Sequence, residues 1–215
     1  MIRQILYIFD PLCGWCYGFS ETIWSFYQQH RSRYDFIPIV GGMITGSRIG
    51  PASDMYDYLK QAIPRLETTT GCKMGQPYMD MIQSDKVIFN SEPPCRAVVT
   101  FRSIQPQNSL SFVRELQKAH FQQGKDYNNE DMYATILSQF EVDPEAFYTA
   151  YASQDIQNVM QQDFDWVSQA RINGFPCVVV NIDNHLTMLA SGYTPLDRLN
   201  ETLEAIEQES LQKKQ

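Results

Sequence analysis

The chain has 215 residues, 43% of them hydrophobic and 13% aromatic, which is the composition of an ordinary globular protein with a full core. Its formal net charge is −8 and it has no basic tract, so a nucleic-acid partner is not expected. No apolar run approaches the roughly 20 residues that a membrane-spanning helix needs, and the first residues lack the pattern of a secretory signal peptide. We therefore expect a cytoplasmic protein with no membrane partner.

The chain opens with a strand, two cysteines and a helix. Residues 5–9 form a short apolar run typical of a buried strand, and residues 18–27 carry an aromatic face at helical spacing. Residues 34–40 predict a second strand, which ends at a pair of glycines. A helix that connects two strands in this way favours parallel pairing with a right-handed crossover.

Helical signals dominate residues 46–170. Residues 54–66 predict a helix that is interrupted by Pro64, because proline lacks the backbone N–H that a helix interior needs. Asp143 followed by Pro144 predicts the start of another helix, with the aspartate as the N-cap. Further apolar stripes at helical spacing predict additional helices in this block.

The last part of the sequence returns to strand signals. Residues 177–182 are strongly β-prone, and Asp183-Asn184 predicts a turn. Residues 185–190 then pair back as a hairpin, and a final helix extends from about residue 194 to residue 209.

This order of elements predicts an α/β protein with an insertion. Strands at both ends of the chain flank the helical block, so the ends must come together to form one sheet. We expect residues 1–45 and 171–215 to form a discontinuous domain and residues 46–170 to form a helical insertion domain.

Cys13 and Cys16 lie at the first strand-to-helix turn, with Cys13 near the helix N-terminus. Free backbone N–H groups and the positive end of the helix dipole stabilise a thiolate there. The second thiol, three residues further on, lies within reach to close a disulfide. In a reducing compartment such a pair is more often catalytic or metal-binding than structural. The placement therefore favours redox chemistry.

Gly174-Phe175-Pro176, just before the hairpin, is the second local signal. A proline at the first residue of a strand needs no N–H for the ladder, so an ordinary loop proline is one interpretation. The functional interpretation is a cis Phe175–Pro176 bond, which is uncommon among X–Pro bonds and would offer the N–H and C=O of Phe175 to an extended peptide. Its place after a helical block and before a hairpin favours the functional interpretation.

Three segments carry a resemblance to a known family and spread over most of the chain: residues 10–18 (DPLCGWCYG), 90–97 (NSEPPCRA) and 119–126 (AHFQQGKD). With the order of elements, they make the chain similar to the DsbA-type branch of the thioredoxin superfamily. The similarity is greatest to its FrnE-like cytoplasmic members, often called predicted protein-disulfide isomerases. The resemblance implies a thioredoxin fold with a large α-helical insertion and a mixed central sheet.

The resemblance also implies a thiol–disulfide oxidoreductase, with protein-disulfide isomerase activity left open. Cys13 is then the expected nucleophile, which attacks a substrate disulfide, and Cys16 is the thiol that resolves the mixed disulfide. Trp15, Phe175 and Pro176 are expected to bind the substrate. The expected partners are protein or peptide thiols and disulfides.

The remaining expectations concern supports and cofactors. Gly14 and Tyr17 are expected to support the site, and the redox-active disulfide makes a separate cofactor or metal unnecessary, with glutathione as an optional co-substrate. Gly14-Trp15 differs from the Pro-His of DsbA and the Gly-Pro of thioredoxin, so the redox potential and the direction of electron flow stay open. Phe175 is bulkier than the residue common in relatives, and Cys177 adds a thiol near the site.

Three alternatives to thiol–disulfide exchange have weaker support in the sequence. A structural zinc site needs two further ligands, but Cys72 and Cys95 are isolated and the histidines show no ligand spacing. A glutathione-linked transferase or isomerase of the kappa type shares the expected fold, but typically has serine where Cys13 stands. A peptide-binding role without catalysis is a third alternative. We predict a free thiol for Cys72 and packed core positions for Cys95 and Cys177, with a Cys72–Cys95 disulfide left open.

Overall fold

The computed structural model describes residues 2–212 of the chain. Its strands are β1 (Arg3–Phe9), β2 (Asp35–Val40), β3 (Gly50–Pro51), β4 (Ile88–Phe89), β5 (Cys177–Ile182) and β6 (His185–Ser191). Its helices are α1 (Gly14–Gly18), α2 (Ser20–His30), α3 (Tyr56–Thr70), α4 (Gln76–Met81), α5 (Glu92–Ile104), α6 (Ser109–Phe121), α7 (Asp131–Leu137), α8 (Pro144–Tyr151), α9 (Gln154–Gln169) and α10 (Leu196–Gln212).

The main sheet has the strand order β2-β1-β5-β6. Strand β1 pairs parallel with β2 and antiparallel with β5, which in turn pairs antiparallel with β6. The parallel pair follows from the helical crossover between β1 and β2. Ile5, Ile8 and Phe9 are completely buried, as expected for a central strand that is covered on both faces. The predicted α/β class and the mixed central sheet are confirmed.

The local signals at two turns are also confirmed. Asp183 and Asn184 join β5 to β6 with φ angles of 51° and 68°, the left-handed conformation that a two-residue hairpin turn requires. The Asp143 side chain accepts a hydrogen bond from the Glu145 N–H at the start of α8, and Pro144 occupies the first helical position.

The predicted interruption at Pro64 is wrong, because α3 passes through this residue without a break. Ile63 and Leu66 are buried on the same helix, and their packing outweighs a proline penalty of about 3 kcal/mol. The helix ends only at Gly71, whose φ of 73° is the left-handed conformation typical of a helix C-terminus.

Two further features differ from the predictions. The first helix is divided at the fully buried Phe19, so that α1 ends at Gly18 and α2 begins at Ser20. The antiparallel pair of β3 and β4 was not predicted, because a strand of two residues has no readable alternation.

One apolar cluster joins the sheet to the helical block. It contains Phe9 and Val40 from the sheet together with Phe101 and Phe112, whose rings stack with centroids 4.3 Å apart. The proposed domain boundaries at residues 45/46 and 170/171 therefore stay a prediction. Within residues 2–212, no helix is both long enough and apolar enough to cross a membrane.

A buried ion pair fixes the carboxyl end of β2. The guanidinium of Arg102 on α5 donates two hydrogen bonds to the carboxylate of Asp163 on α9, at 2.9 and 3.0 Å. The same carboxylate accepts the Val40 N–H at 3.1 Å. The helical block thus holds the backbone just before Gly41 and Gly42, which lie against the rings of Phe175 and Phe164.

Candidate active site

Cys13 is the N-cap residue of α1. Its backbone is extended, and its Sγ accepts a hydrogen bond from the Cys16 N–H at 3.3 Å. The Cys13 carbonyl accepts from the N–H groups of Cys16 and Tyr17 at 3.0 and 3.1 Å, which forms the first turn. A backbone N–H directed at sulfur stabilises the thiolate more than the thiol. The Cys13 residue is 5% exposed and lines a groove at the surface.

Cys16 lies behind Cys13 and has no exposed surface. Burial raises the pKa of the Cys16 thiol well above its ordinary value, and the adjacent Cys13 raises it further. The hydroxyl of Tyr7 on β1 donates to the Cys16 carbonyl at 3.3 Å. The pair therefore consists of one slightly exposed cysteine, Cys13, and one fully buried cysteine, Cys16, whose thiol has a raised pKa.

Phe175 and Pro176 lie on the other side of Cys13. The Phe175–Pro176 peptide bond is cis, and the Phe175 carbonyl oxygen lies 3.7 Å from Cys13 Sγ. The Phe175 ring covers Gly41: a Cβ at that position would lie 2.1 Å from the ring's Cζ. The Pro176 carbonyl accepts the Gly192 N–H at 2.7 Å, which ties this loop to the end of β6.

The other predicted residues lie on α1. Trp15 is partly buried and lines a groove beside Cys13. Gly14 faces Leu66 on α3, since a Cβ on Gly14 would lie 3.3 Å from the Leu66 Cδ1. The Tyr17 ring stacks on Phe121 with centroids 4.7 Å apart, and its hydroxyl donates to the Lys73 carbonyl at 3.2 Å. Tyr17 thus packs against the helical block rather than lining the opening around Cys13.

Asp10 is a fully buried carboxyl group directly after β1, and the sequence alone did not single it out. One oxygen accepts the Leu12 N–H and the Ser91 hydroxyl, both at 2.9 Å. The other accepts the Met43 N–H at 2.7 Å and lies 3.8 Å from the Cys95 Sγ. Burial raises the pKa of Asp10 in spite of these hydrogen bonds, which favour the charged form.

The three remaining cysteines lie outside the pair. All five cysteines are free thiols. Cys95 and Cys177 are 0% and 1% exposed, which confirms their predicted packing in the core. Burial raises the pKa of Cys177 to about 11, and its sulfur lies 3.1 Å from the Met188 Sδ. Cys72 is partly exposed after the end of α3. In the described part of the chain, no group of three or more His, Cys, Asp or Glu side chains could hold a metal ion.

A groove of about 640 Å³ opens beside Cys13 and was not predicted from the sequence. Cys13 and Trp15 form one side, and the segment from residue 43 to residue 66 forms most of the other. We call it the apolar groove; its main apolar lining residues are Ile44, Ile49, Met55, Tyr58, Leu59 and Ala62. The signal that could have indicated it is the number of large apolar residues between the second strand and α3, where no helical stripe accounts for all of them.

Comparisons with known proteins place this arrangement in a wider context. The family model described as DSBA-like thioredoxin domain matches residues 4–204. A putative protein disulfide isomerase from Nitrosomonas europaea has a similar structure, with a TM-score of 0.86 and 22% identity, covering 97% of this chain and 99% of that one. A search of curated protein sequences found no match.

Two other solved structures share the fold. The cytosolic disulfide reductase DsbM from Pseudomonas aeruginosa, also solved with GSH, gives a TM-score of 0.79 at 23% identity, covering 95% of this chain and 98% of that one. A 2-hydroxychromene-2-carboxylate isomerase gives 0.64 at 15% identity, covering 99% of this chain and 98% of that one. At these identities the likeness concerns the fold.

Proposed function

Because the chain belongs to the family of DSBA-like thioredoxin domains and is a thiol–disulfide oxidoreductase, we propose that Cys13 and Cys16 carry its reaction. The observation that supports this most directly is the position of the Cys13 sulfur. It accepts the Cys16 N–H at 3.3 Å and lies 3.7 Å from the Phe175 carbonyl, and Cys13, unlike the fully buried Cys16, lines the groove.

The proposed reaction transfers two electrons. The Cys13 thiolate attacks one sulfur of a substrate disulfide, a Cys13–substrate disulfide forms, and the other substrate sulfur leaves as a thiolate. Cys16 then loses its proton and attacks the Cys13 sulfur, so that the second substrate thiolate leaves and the Cys13–Cys16 disulfide forms. The substrate is reduced and the enzyme is oxidised, and the same steps in reverse oxidise a dithiol.

The burial of Cys16 supports the division of roles. A thiol with a raised pKa is a poor first nucleophile, but it becomes effective once the neighbouring sulfur is bonded and no longer carries charge. Phe175 and Pro176 would hold an extended substrate segment through the Phe175 backbone, and Trp15 would contact it from α1. Isomerisation of wrongly paired disulfides belongs to the same chemistry.

Variants of the two cysteines test this assignment. Cys13→Ser should abolish reduction of a peptide disulfide, whereas Cys16→Ser should accumulate one peptide bound covalently per chain, detected by intact mass. Cys72→Ser is the matched control and should react like the wild type, because Cys72 lies outside the pair. Exchange that persists in Cys13→Ser would overturn the proposal.

A glutathione-linked activity of the kappa type is the second candidate, supported by the fold shared with a 2-hydroxychromene-2-carboxylate isomerase and by the neighbour solved with GSH. Such an enzyme would add the glutathione sulfur to an electrophile, a reaction that needs no second cysteine. Conjugation of glutathione to a haloaromatic compound at equal rates in wild type and Cys16→Ser would favour it. Glutathione as a co-substrate of exchange, and the cytoplasmic location, stay predictions.

A further inference from the structure

Cys16 must lose a proton before it attacks the mixed disulfide, and it has no exposed surface from which to lose it. Burial raises the pKa of the Cys16 thiol well above its ordinary value, and the neighbouring Cys13 and the charge of Asp10 raise it further. In the mixed disulfide, the substrate would cover the surface at Cys13. The proton of Cys16 therefore needs a path through polar groups inside the protein.

The Tyr7 hydroxyl lies against Cys16. Tyr7 is 1% exposed, and its hydroxyl donates to the Cys16 carbonyl at 3.3 Å. Burial raises the pKa of Tyr7 well above its ordinary value, and Cys16 and Cys13 raise it further, so the hydroxyl stays neutral. A hydroxyl can accept one proton while it donates another. Tyr7 can thus pass a proton on without becoming charged.

A small cavity continues from Tyr7 between α2 and α6. Its volume is about 10 Å³, close to what one water molecule needs. Gln117 lines it and is 1% exposed, and among the described residues its Nε2 has no hydrogen-bond partner. Ser20, whose side chain is a hydroxyl, lines the cavity as well. A buried amide N–H without a partner costs free energy, and a water molecule that accepts it recovers this cost.

The cavity leads towards the surface at Arg114. Arg114 lines it, and this side chain is 26% exposed. Its guanidinium donates to the two carboxylate oxygens of Glu21 at 2.7 and 3.0 Å, and the Glu21 side chain is 63% exposed. The lining of the cavity therefore extends from the buried Tyr7 to an ion pair that is in contact with solvent.

We propose that Tyr7, together with one water molecule held by Gln117, carries the proton of Cys16 to solvent at Arg114. Cys16 gives its proton to the Tyr7 oxygen, Tyr7 gives its own proton to the water molecule, and the water molecule gives a proton to solvent. The Cys16 thiolate then attacks the Cys13 sulfur, the bond between Cys13 and the substrate breaks, and the substrate leaves as a thiolate. Gln117 is a positioning residue. This inference rests on the exchange reaction proposed for Cys13 and Cys16.

A symmetrical disulfide of a chromophoric nitroaryl thiol separates the two steps. The attack of Cys13 releases the first aryl thiolate at a rate that rises with the disulfide concentration. The attack of Cys16 releases the second at a rate that does not depend on this concentration. Both phases are measured by stopped-flow absorbance between about pH 6 and about pH 10, a range that includes the ordinary pKa of a thiol. Every protein carries Cys72→Ser, because Cys72 is partly exposed and would also react.

Tyr7→Phe should leave the first phase unchanged and slow the second at least about tenfold near pH 7. The midpoint of its pH profile should rise by about one unit, because the hydroxyl that passes the proton on also donates to the thiolate left behind. Gln117→Leu should slow the second phase about threefold. Tyr133→Phe is the matched control: it removes another buried hydroxyl, which donates to the Tyr127 carbonyl at 2.6 Å on α7, and both phases should be kept. A crystal structure should show a water molecule within about 3 Å of the Gln117 Nε2.

A second phase at the wild-type rate in Tyr7→Phe overturns the inference. Slowing by the same factor at every pH also overturns it, because a displaced Cys16 sulfur gives that result and a lost proton path does not. Wild-type rates in Gln117→Leu, or a crystal structure with no water molecule at Gln117, would remove the water molecule from the path. If the wild type shows no first phase, the exchange function itself fails, whereas a normal first phase with no effect of Tyr7 refutes the proton path alone.

Discussion

The two surfaces on either side of Cys13, the sheet side and the helical side, differ in chemistry. On the sheet side, a backbone carbonyl, that of Phe175, lies 3.7 Å from the sulfur, and the Phe175 ring is packed onto Gly41. On the helical side, Ile49 and Tyr58 present apolar side chains that are 36% and 63% exposed. Backbone groups are the same in every polypeptide, whereas an apolar cavity distinguishes one side chain from another. The sheet side therefore presents backbone groups to the sulfur, and the helical side presents an apolar surface.

Asp10 connects the loop before α1 to the segments that follow β2 and precede α5. Its carboxylate accepts the Leu12 N–H from that loop, the Met43 N–H after β2 and the Ser91 hydroxyl before α5. A buried carboxylate that accepts hydrogen bonds from three separate segments holds them together next to the cysteine pair.

The largest predicted effect comes from removing this connection. Asp10→Asn places an amide NH₂ opposite donors on at least one side, so a buried donor loses its acceptor. Each oxygen of Asp10 faces two donors, so we expect the free energy of unfolding to fall by about 2–4 kcal/mol, measured by urea denaturation. Ser91→Ala removes one donor to Asp10 and the acceptor of the Ile44 N–H, but it leaves the carboxylate and its other donors intact, so its loss should be smaller. Equal losses in the two variants would contradict the central role of Asp10.

The parts of this site that could be predicted are the local ones. The strand, Cys13 and the following helix are adjacent in sequence, and Phe175-Pro176 was identified by its place before a hairpin. The Asp10 contacts could not be found in the same way, because Ser91 and Cys95 lie 81 and 85 residues further along the chain.

Tertiary packing also explains the incorrect prediction at Pro64. The local cost of proline is real, but it is smaller than the gain from burying Ile63 and Leu66 on the same helix. The apolar groove was missed for a related reason. Its lining combines residues of the loop after β2, of α3 and of α1. A surface that is built from three separate segments leaves no single hydrophobic periodicity in the sequence.

Lowering the pH should destabilise the helical side of the molecule through His120. His120 on α6 is buried behind Tyr78 and Phe89, its Nδ1 lies 2.8 Å from the Lys125 carbonyl, and its Nε2 has no partner among the described residues. Burial lowers its pKa from 6.5 to about 4. The unfolded state thus takes up a proton at a higher pH than the folded state, so this stability is present above about pH 6.5 and is lost towards pH 4.

The comparison of wild type with His120→Gln measures this loss. Between about pH 7.5 and about pH 4 the wild type should lose about 3 kcal/mol more of its free energy of unfolding than the variant. Asp10 acts in the opposite sense, because its raised pKa makes protonation favour the folded state, but it is present in both proteins and cancels. Parallel pH profiles in urea denaturation would show that His120 does not titrate in this way.

The smallest predicted effect comes from a change on the sheet side alone. In Gly41→Ala the new Cβ would lie 2.1 Å from the Phe175 ring, so the ring must shift, and we expect the Phe175 carbonyl beside Cys13 to shift with it. We expect a cost of about 1–3 kcal/mol in stability and a roughly tenfold slower exchange with every disulfide. Gly174→Ala is the matched control, since nothing lies within 4 Å of a Cβ at that position of the same loop. Exchange at the wild-type rate in Gly41→Ala would mean that the packing of Phe175 on Gly41 does not control the reaction of Cys13.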